Sequence, residues 1–137
     1  MVQRSKDEDI YESTKESVKK IFDNLKSYIE GKGLFFINYL VEDRRALFEF
    51  SKRPEDKTIY VIAIERIRYD NQKAIGDIYF YEFHLSNINA GALKRGIGRS
   101  IGSIDISKSR VVGYYGIKHI DKYLEDELKD IINSSNL

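Results

Sequence analysis

Between Leu34 and Ser86 the chain carries four runs rich in β-branched and aromatic residues, separated by very short polar joins. The runs are Leu34–Glu42, Arg45–Ser51, Thr58–Tyr69 and Ala74–Ser86; the joins are Asp43-Arg44, Lys52–Lys57 and Asp70–Lys73. Parallel neighbours need a crossover of roughly a dozen residues or more, and none of these joins is that long. Four successive strands on such joins predict an antiparallel meander. A two-residue turn at Asp43-Arg44 would set Tyr39 opposite Phe48 and Ile37 opposite Phe50. On that register Ile37, Phe48, Phe50, Val61 and Ala63 face the main core. The opposite face then carries Phe36, Leu40, Leu47, Tyr60, Ile62, Ile64, Tyr79, Tyr81 and Phe83, with Arg66 and Arg68 continuing it.

Helical periodicity flanks the strands. From Ile10 to Ile29 the apolar positions Val18, Ile21, Phe22, Leu25 and Ile29 fall on one stripe, with Lys and Glu opposite. Asp9 is placed to cap this helix, and Gly31 or Gly33 to end it in a left-handed conformation. At the other end Ile117, Ile120, Leu124, Leu128 and Ile131 predict a helix over Ile117–Asn133. Between meander and last helix, Ser100–Ile106 and Arg110–Tyr115 read as a short hairpin turning at Ser107–Ser109. The predicted fold is α+β: an N-terminal helix, a four-strand antiparallel meander extended by a short hairpin, and a C-terminal helix.

With 137 residues, 42% of them apolar, the chain suffices for one core and is too short for two. No Pro- or Ser-rich linker divides it, so one domain over 1–137 is expected, with 1–8 and 134–137 frayed. The absence of cysteine removes disulfides, thiolate metal sites and cysteine nucleophiles together. Met1–Asp9 is charged and no signal-type apolar core follows; no apolar run approaches the roughly 18 residues of a membrane span. A cytoplasmic protein without a membrane partner is the expectation.

Net charge is +1, but its distribution is uneven. Residues 87–119 hold Lys94, Arg95, Arg99, Lys108, Arg110 and Lys118 against Asp105 alone, whereas the last 18 residues are net acidic. The same basic stretch contains Gly91, Gly96, Gly98, Gly102, Gly113 and Gly116. Glycines let backbone N–H groups converge on an anion while the cations supply charge. Known phosphate loops are nonetheless missing. After Gly96 a Walker loop would continue with Lys and then Ser or Thr, where Ile97-Gly98 stand; position 101, where a dinucleotide fingerprint has its third glycine, is Ile. The expected anion contacts are Lys94, Arg95, Gly96, Gly98, Arg99, Lys108 and Arg110. The competing readings are a solvated surface loop, or neutralisation of these cations by the acidic last helix.

Two further groups carry possible chemistry. Aromatics flanked by Arg66 and Arg68 on the second sheet face would form a stacking platform for single-stranded nucleic acid, unless the second helix or a partner subunit covers them. Glu82 and His84, two apart and so on one face, could join Glu65 of a neighbouring strand as metal ligands or an acid–base pair. The acidic-x-Lys pattern of a nuclease does not follow Glu49 or Glu65, and His119 has no ligand-spaced partner. Gly98-Arg99-Ser100-Ile101-Gly102 has the G-x-S-x-G spacing, but neither histidine is placed by sequence to serve Ser100 or Ser103. The sequence therefore favours a small non-enzymatic domain binding nucleic acid or another polyanion. The alternative is a protein-interaction or homodimerisation domain using the aromatic sheet face, and below it a metal-dependent hydrolase. No cofactor is implied, and no residue is assigned a catalytic or metal role.

Overall fold

The computed structural model describes residues 6–84, 109–135 and 137. The expected sites Lys94, Arg95, Gly96, Gly98, Arg99 and Lys108, and the expected strand Ser100–Ile106, lie outside the described residues.

Helix α1 runs Lys6–Gly31, so Asp9 sits inside the helix and not at its N-cap. Its C-terminus behaves as the glycines suggest. Gly33 adopts φ +82°, which lets Leu34 N–H reach back to Ile29 O at 3.0 Å and Gly33 N–H to Glu30 O at 3.0 Å. These two bonds form a Schellman motif, satisfying carbonyls the helix end would otherwise leave open. The strands follow as β1 (Phe35–Val41), β2 (Ala46–Ser51), β3 (Thr58–Asp70), β4 (Lys73–His84) and β5 (Arg110–His119), then helix α2 (Leu124–Ser134). All five strands form one antiparallel sheet in sequence order. The α+β meander with a further strand is therefore observed.

Three details depart from expectation. A bulge between Phe36 and Asn38 drops Ile37 from the register, so Phe36 lies opposite Phe50, while Tyr39 does face Phe48. Across the β2–β3 loop, Phe48 pairs with Ile62 and Phe50 with Tyr60, not with residues of the Val61 and Ala63 set. Ile62 and Ile64 therefore join Phe48 and Phe50 in the main core, and Val61 and Ala63 move to the second face with Leu47. A one-residue offset exchanges whole faces because side chains alternate with period two. The last helix also starts later than its periodicity predicts. Ile117 pairs with Asp77 and His119 with Ile75, so this stretch completes the ladder along β4.

Both helices pack on the same sheet face. Val18, Phe22, Leu25 and Ile29 of α1 and Leu124, Leu128 and Ile132 of α2 close over Phe48, Phe50, Ile62, Ile64 and Phe80. The aromatic rings interlock there: Phe48 lies 5.4 Å from Phe22 and 5.2 Å from Phe36, centroid to centroid. Neither helix covers the second face. That face holds the apolar cluster of Leu47, Ile59, Val61, Ala63 and Tyr81, with Tyr79 and Phe83 against it.

Candidate nucleic-acid interface

Strand alternation places Leu47 and Glu49 of β2 on the second face, together with Val61, Ala63 and Glu65 of β3 and Asp77, Tyr79 and Tyr81 of β4, and Arg45, just before β2, reaches Glu65 there. Strand β5 adds Val111 opposite Tyr81, Tyr114 opposite Tyr79 and Ile117 opposite Asp77. In β3 the register shifts between Glu65 and Arg68, and Arg66 takes φ +51°. This bulge lets Ile67 return to the core, with its N–H on Arg44 O at 2.9 Å, while Arg66 leans over Asp77.

Asp77 organises the site. Its side chain has no exposed surface, yet it is a carboxylate in the middle of a sheet. It accepts hydrogen bonds from Arg66 Nε at 2.7 Å, Tyr114 OH at 2.9 Å and Arg68 Nη1 at 3.4 Å. The Arg66 bond, reinforced by that from Tyr114, outweighs burial and holds the Asp77 carboxyl below its ordinary pKa. The same hydrogen bond from Tyr114 to Asp77 raises the phenol above its ordinary value. Burying a carboxylate without partners would cost several kcal/mol, on the order of the penalty per buried ion; two guanidiniums and a phenol remove that objection.

The charge on this face is sorted by depth. Glu49 is buried, Glu65 is 23% exposed and bound by Arg45 Nε at 3.0 Å, and Asp77 is 0% exposed. The guanidiniums above them are open to solvent: Arg45 at 36%, Arg68 at 37% and Arg66 at 70%. In Arg66 only Nε has a hydrogen-bond partner among the described residues, and the side chain is the most exposed of the three. Three acids and three arginines cancel in number, but in each pair the arginine is the more exposed partner.

Aromatic rings lie beside these cations. Tyr81 and Tyr79 are stacked with centroids 5.5 Å apart, and Tyr114 continues the row 4.8 Å from Tyr79. Tyr81 is buried, whereas Tyr114 is 51% exposed and flanked along β5 by Val111 and Ile117, similarly open. The second helix does not cover this row, contrary to one expectation for the aromatic face.

Other sequence-predicted residues separate. Arg110 begins β5 on the helix side, 70% exposed, with a 3.4 Å contact to Glu82. It does not meet the acids of α2; there Glu125 is held by Asn24 at 2.7 Å and by Lys129 at 2.9 Å. Those two contacts, Asn24 first, keep the Glu125 carboxyl below its ordinary value. Lys118 alone of the described basic block approaches α2, at 3.9 Å from Glu127. Glu82 and His84 do come together, Nε2 to Oε1 at 2.7 Å. Glu65 does not join them. Glu82 lies opposite Tyr60, five residues along β3 from Glu65 and on the other face, and the Glu65 carboxylate is occupied by Arg45. Among the described residues, no group of three His, Asp or Glu could hold a metal. His119 ends β5 and is not helical as predicted; it lines a cleft on the helix side with Ser13, Ser17, Lys73 and Asp121, a mixed set of charges with no preferred ligand sign.

Asp77 and Tyr114 escaped the sequence reading. The signal was present for Asp77, which shares parity with Tyr79, Tyr81 and Phe83 on one strand. Among the described residues, no helix is long and apolar enough to cross a membrane. No protein-family model, no characterised protein and no solved structure matches this chain.

Proposed function

We propose that this chain is a small non-enzymatic domain that binds nucleic acid or another polyanion. The observation that carries the reading is the exposure of the arginines on the second face, where Asp77 at 0% holds Arg66 at 70% and Arg68 at 37%, and Glu65 at 23% holds Arg45 at 36%. Asp77, with no exposed surface, and Glu65, largely covered, fix these guanidiniums, and arginine is the side chain best matched to phosphate geometry. Arg110 is exposed on the helix side and does not join these arginines; the basic segment it ends, with Lys94, Arg95, Arg99, Lys108, Gly96 and Gly98, would supply further phosphate contacts. Contacts of this kind position a strand without reading its sequence.

The test is a salt titration of binding to a fluorescent oligonucleotide. The affinity should fall with a log–log slope of about −0.7 for each phosphate neutralised on a single strand. Replacing Lys94, Arg95 and Arg99 together with Ala should flatten the slope and leave the melting temperature nearly unchanged. Binding that ignores salt, or no binding near physiological ionic strength, would end the proposal.

Homodimerisation has its own supporting observation, since Val111, Tyr114 and Ile117 are each about half exposed on a strand at the sheet edge of the described residues. Antiparallel self-pairing centred on Tyr114 and Tyr115 would place Arg110 opposite His119 and Val111 opposite Lys118. Cations would then gather at both ends, which favours an anionic ligand over a second copy. A mass that doubles with concentration in light scattering would reverse that preference.

A further inference from the structure

We infer that the second face takes single-stranded rather than duplex nucleic acid, with the Tyr114 ring as the surface on which a base stacks. The inference rests on the polyanion reading and narrows it. Tyr114 offers the most open aromatic ring of the row, and it is held from two sides: its hydroxyl donates to Asp77 Oδ1 at 2.9 Å, and Tyr79 packs on it at 4.8 Å. A ring fixed in advance loses little conformational entropy when a base lands on it.

The same carboxylate holds the neighbouring cation. Tyr114 binds Oδ1 of Asp77 while Arg66 and Arg68 bind Oδ2, so ring and guanidiniums share one anchor. A nucleotide brings the matching pair, an apolar base face and a phosphate on one short tether. Val111 and Ile117 extend apolar surface to either side of the ring along β5. Duplex DNA buries its base faces in its own stack and would present phosphate alone, leaving Tyr114 without a partner. A protein segment could also lie on apolar β5, but the buried acids and outward arginines give it no reason to prefer this face unless it is itself acidic.

The experiment compares three probes at one salt concentration: a labelled oligothymidylate, a duplex of equal length and inorganic polyphosphate. The native chain should bind oligothymidylate more tightly than the duplex. Tyr114→Ala should weaken oligothymidylate binding by about tenfold or more, in line with the loss of one stacked base, and should weaken it clearly more than it weakens polyphosphate binding. Tyr114→Phe, which keeps the ring and loses the bond to Asp77, should retain most of the oligothymidylate affinity and so separates stacking from a general loss of structure. Equal affinity for the duplex, or Tyr114→Ala weakening oligothymidylate and polyphosphate alike or neither, overturns the single-strand inference and leaves the polyanion reading standing. Failure of the native chain to bind any of the three overturns the polyanion reading itself.

Discussion

Asp77 has no solvent with which to share its charge, so its ionisation is tied to folding through Arg66, Tyr114 and Arg68. Its folded-state pKa lies below its unfolded value, near 3.8. A carboxyl shifted in that direction contributes stability that is complete above the unfolded pKa and is lost as pH falls through the lower folded value. Asp77→Asn should therefore lower the melting temperature by several degrees at neutral pH, and the gap to the native chain should close as the pH is taken below about 4. Thermal melts across that range decide it; a gap that stays constant or widens in acid means the carboxylate is not held by these partners. One strand position away, Gly76 is restricted by space alone. A Cβ there would sit 2.6 Å from Ile64 Cγ2 and 3.3 Å from Glu65 O, and Ile64 is fully buried with nowhere to retreat. Gly76→Ala should cost about 1–3 kcal/mol, the usual range for overpacking, read as a lowered urea midpoint with an unchanged m-value.

The hairpin of β3 and β4 shows how an element can be legible while its strain is not. The polar join at Asp70–Lys73 marks the turn, and Asp70 does pair with Lys73. Its two central residues, Asn71 and Gln72, have φ +52° and +64°, the pattern of a type I′ turn. Asn tolerates the left-handed region, but Gln has no such excuse. Gln72→Gly should stabilise the chain by roughly 0.5–1 kcal/mol, the left-handed penalty less the added freedom of glycine when unfolded. An unchanged or lowered denaturation midpoint would show that Gln72 makes a compensating contact. Elsewhere the local signals divide cleanly by range. Helix α1, its glycine C-cap and the short turns were readable because each depends on neighbours within a few residues. The start of α2 was not. Ile117 and Ile120 fit a helical stripe, yet the lower half of β4 needs a partner, and Ile117–His119 supplies it while Ile120 N–H reaches Ala74 O at 2.9 Å. The helix begins only after Asp121 Oδ1 accepts the Tyr123 N–H at 2.9 Å, turning the chain out of the sheet. Ladder hydrogen bonds with a strand some forty residues away decided a boundary that periodicity alone placed too early.

The molecule as a whole is a sheet with two unlike sides, one sealed by both helices and one bearing tyrosines and outward arginines. Strand parity groups Tyr79 with Tyr81, but it sets Arg66 and Arg68 with Ile62 and Ile64 of the main core. The bulge between Glu65 and Arg68, which parity does not show, brings the two arginines over Asp77. The sign of that face was not legible either, because three acids and three arginines look neutral until exposure separates them. A ligand that binds only the folded chain must stabilise it, and this ties the charge pattern to a global measurement. An oligonucleotide at a hundredfold its Kd should add about 2.7 kcal/mol, a rise of roughly 8 °C in melting temperature for a chain of this size. Because counterion release drives the association, the rise should vanish in about 0.5 M salt while the melting temperature of the free chain moves far less. Self-association along β5 predicts a different response: a melting temperature that climbs with protein concentration and ignores the oligonucleotide. A scan over ligand, salt and protein concentration therefore separates the two uses of the same strand, and a melting temperature indifferent to all three would leave the second face without either role.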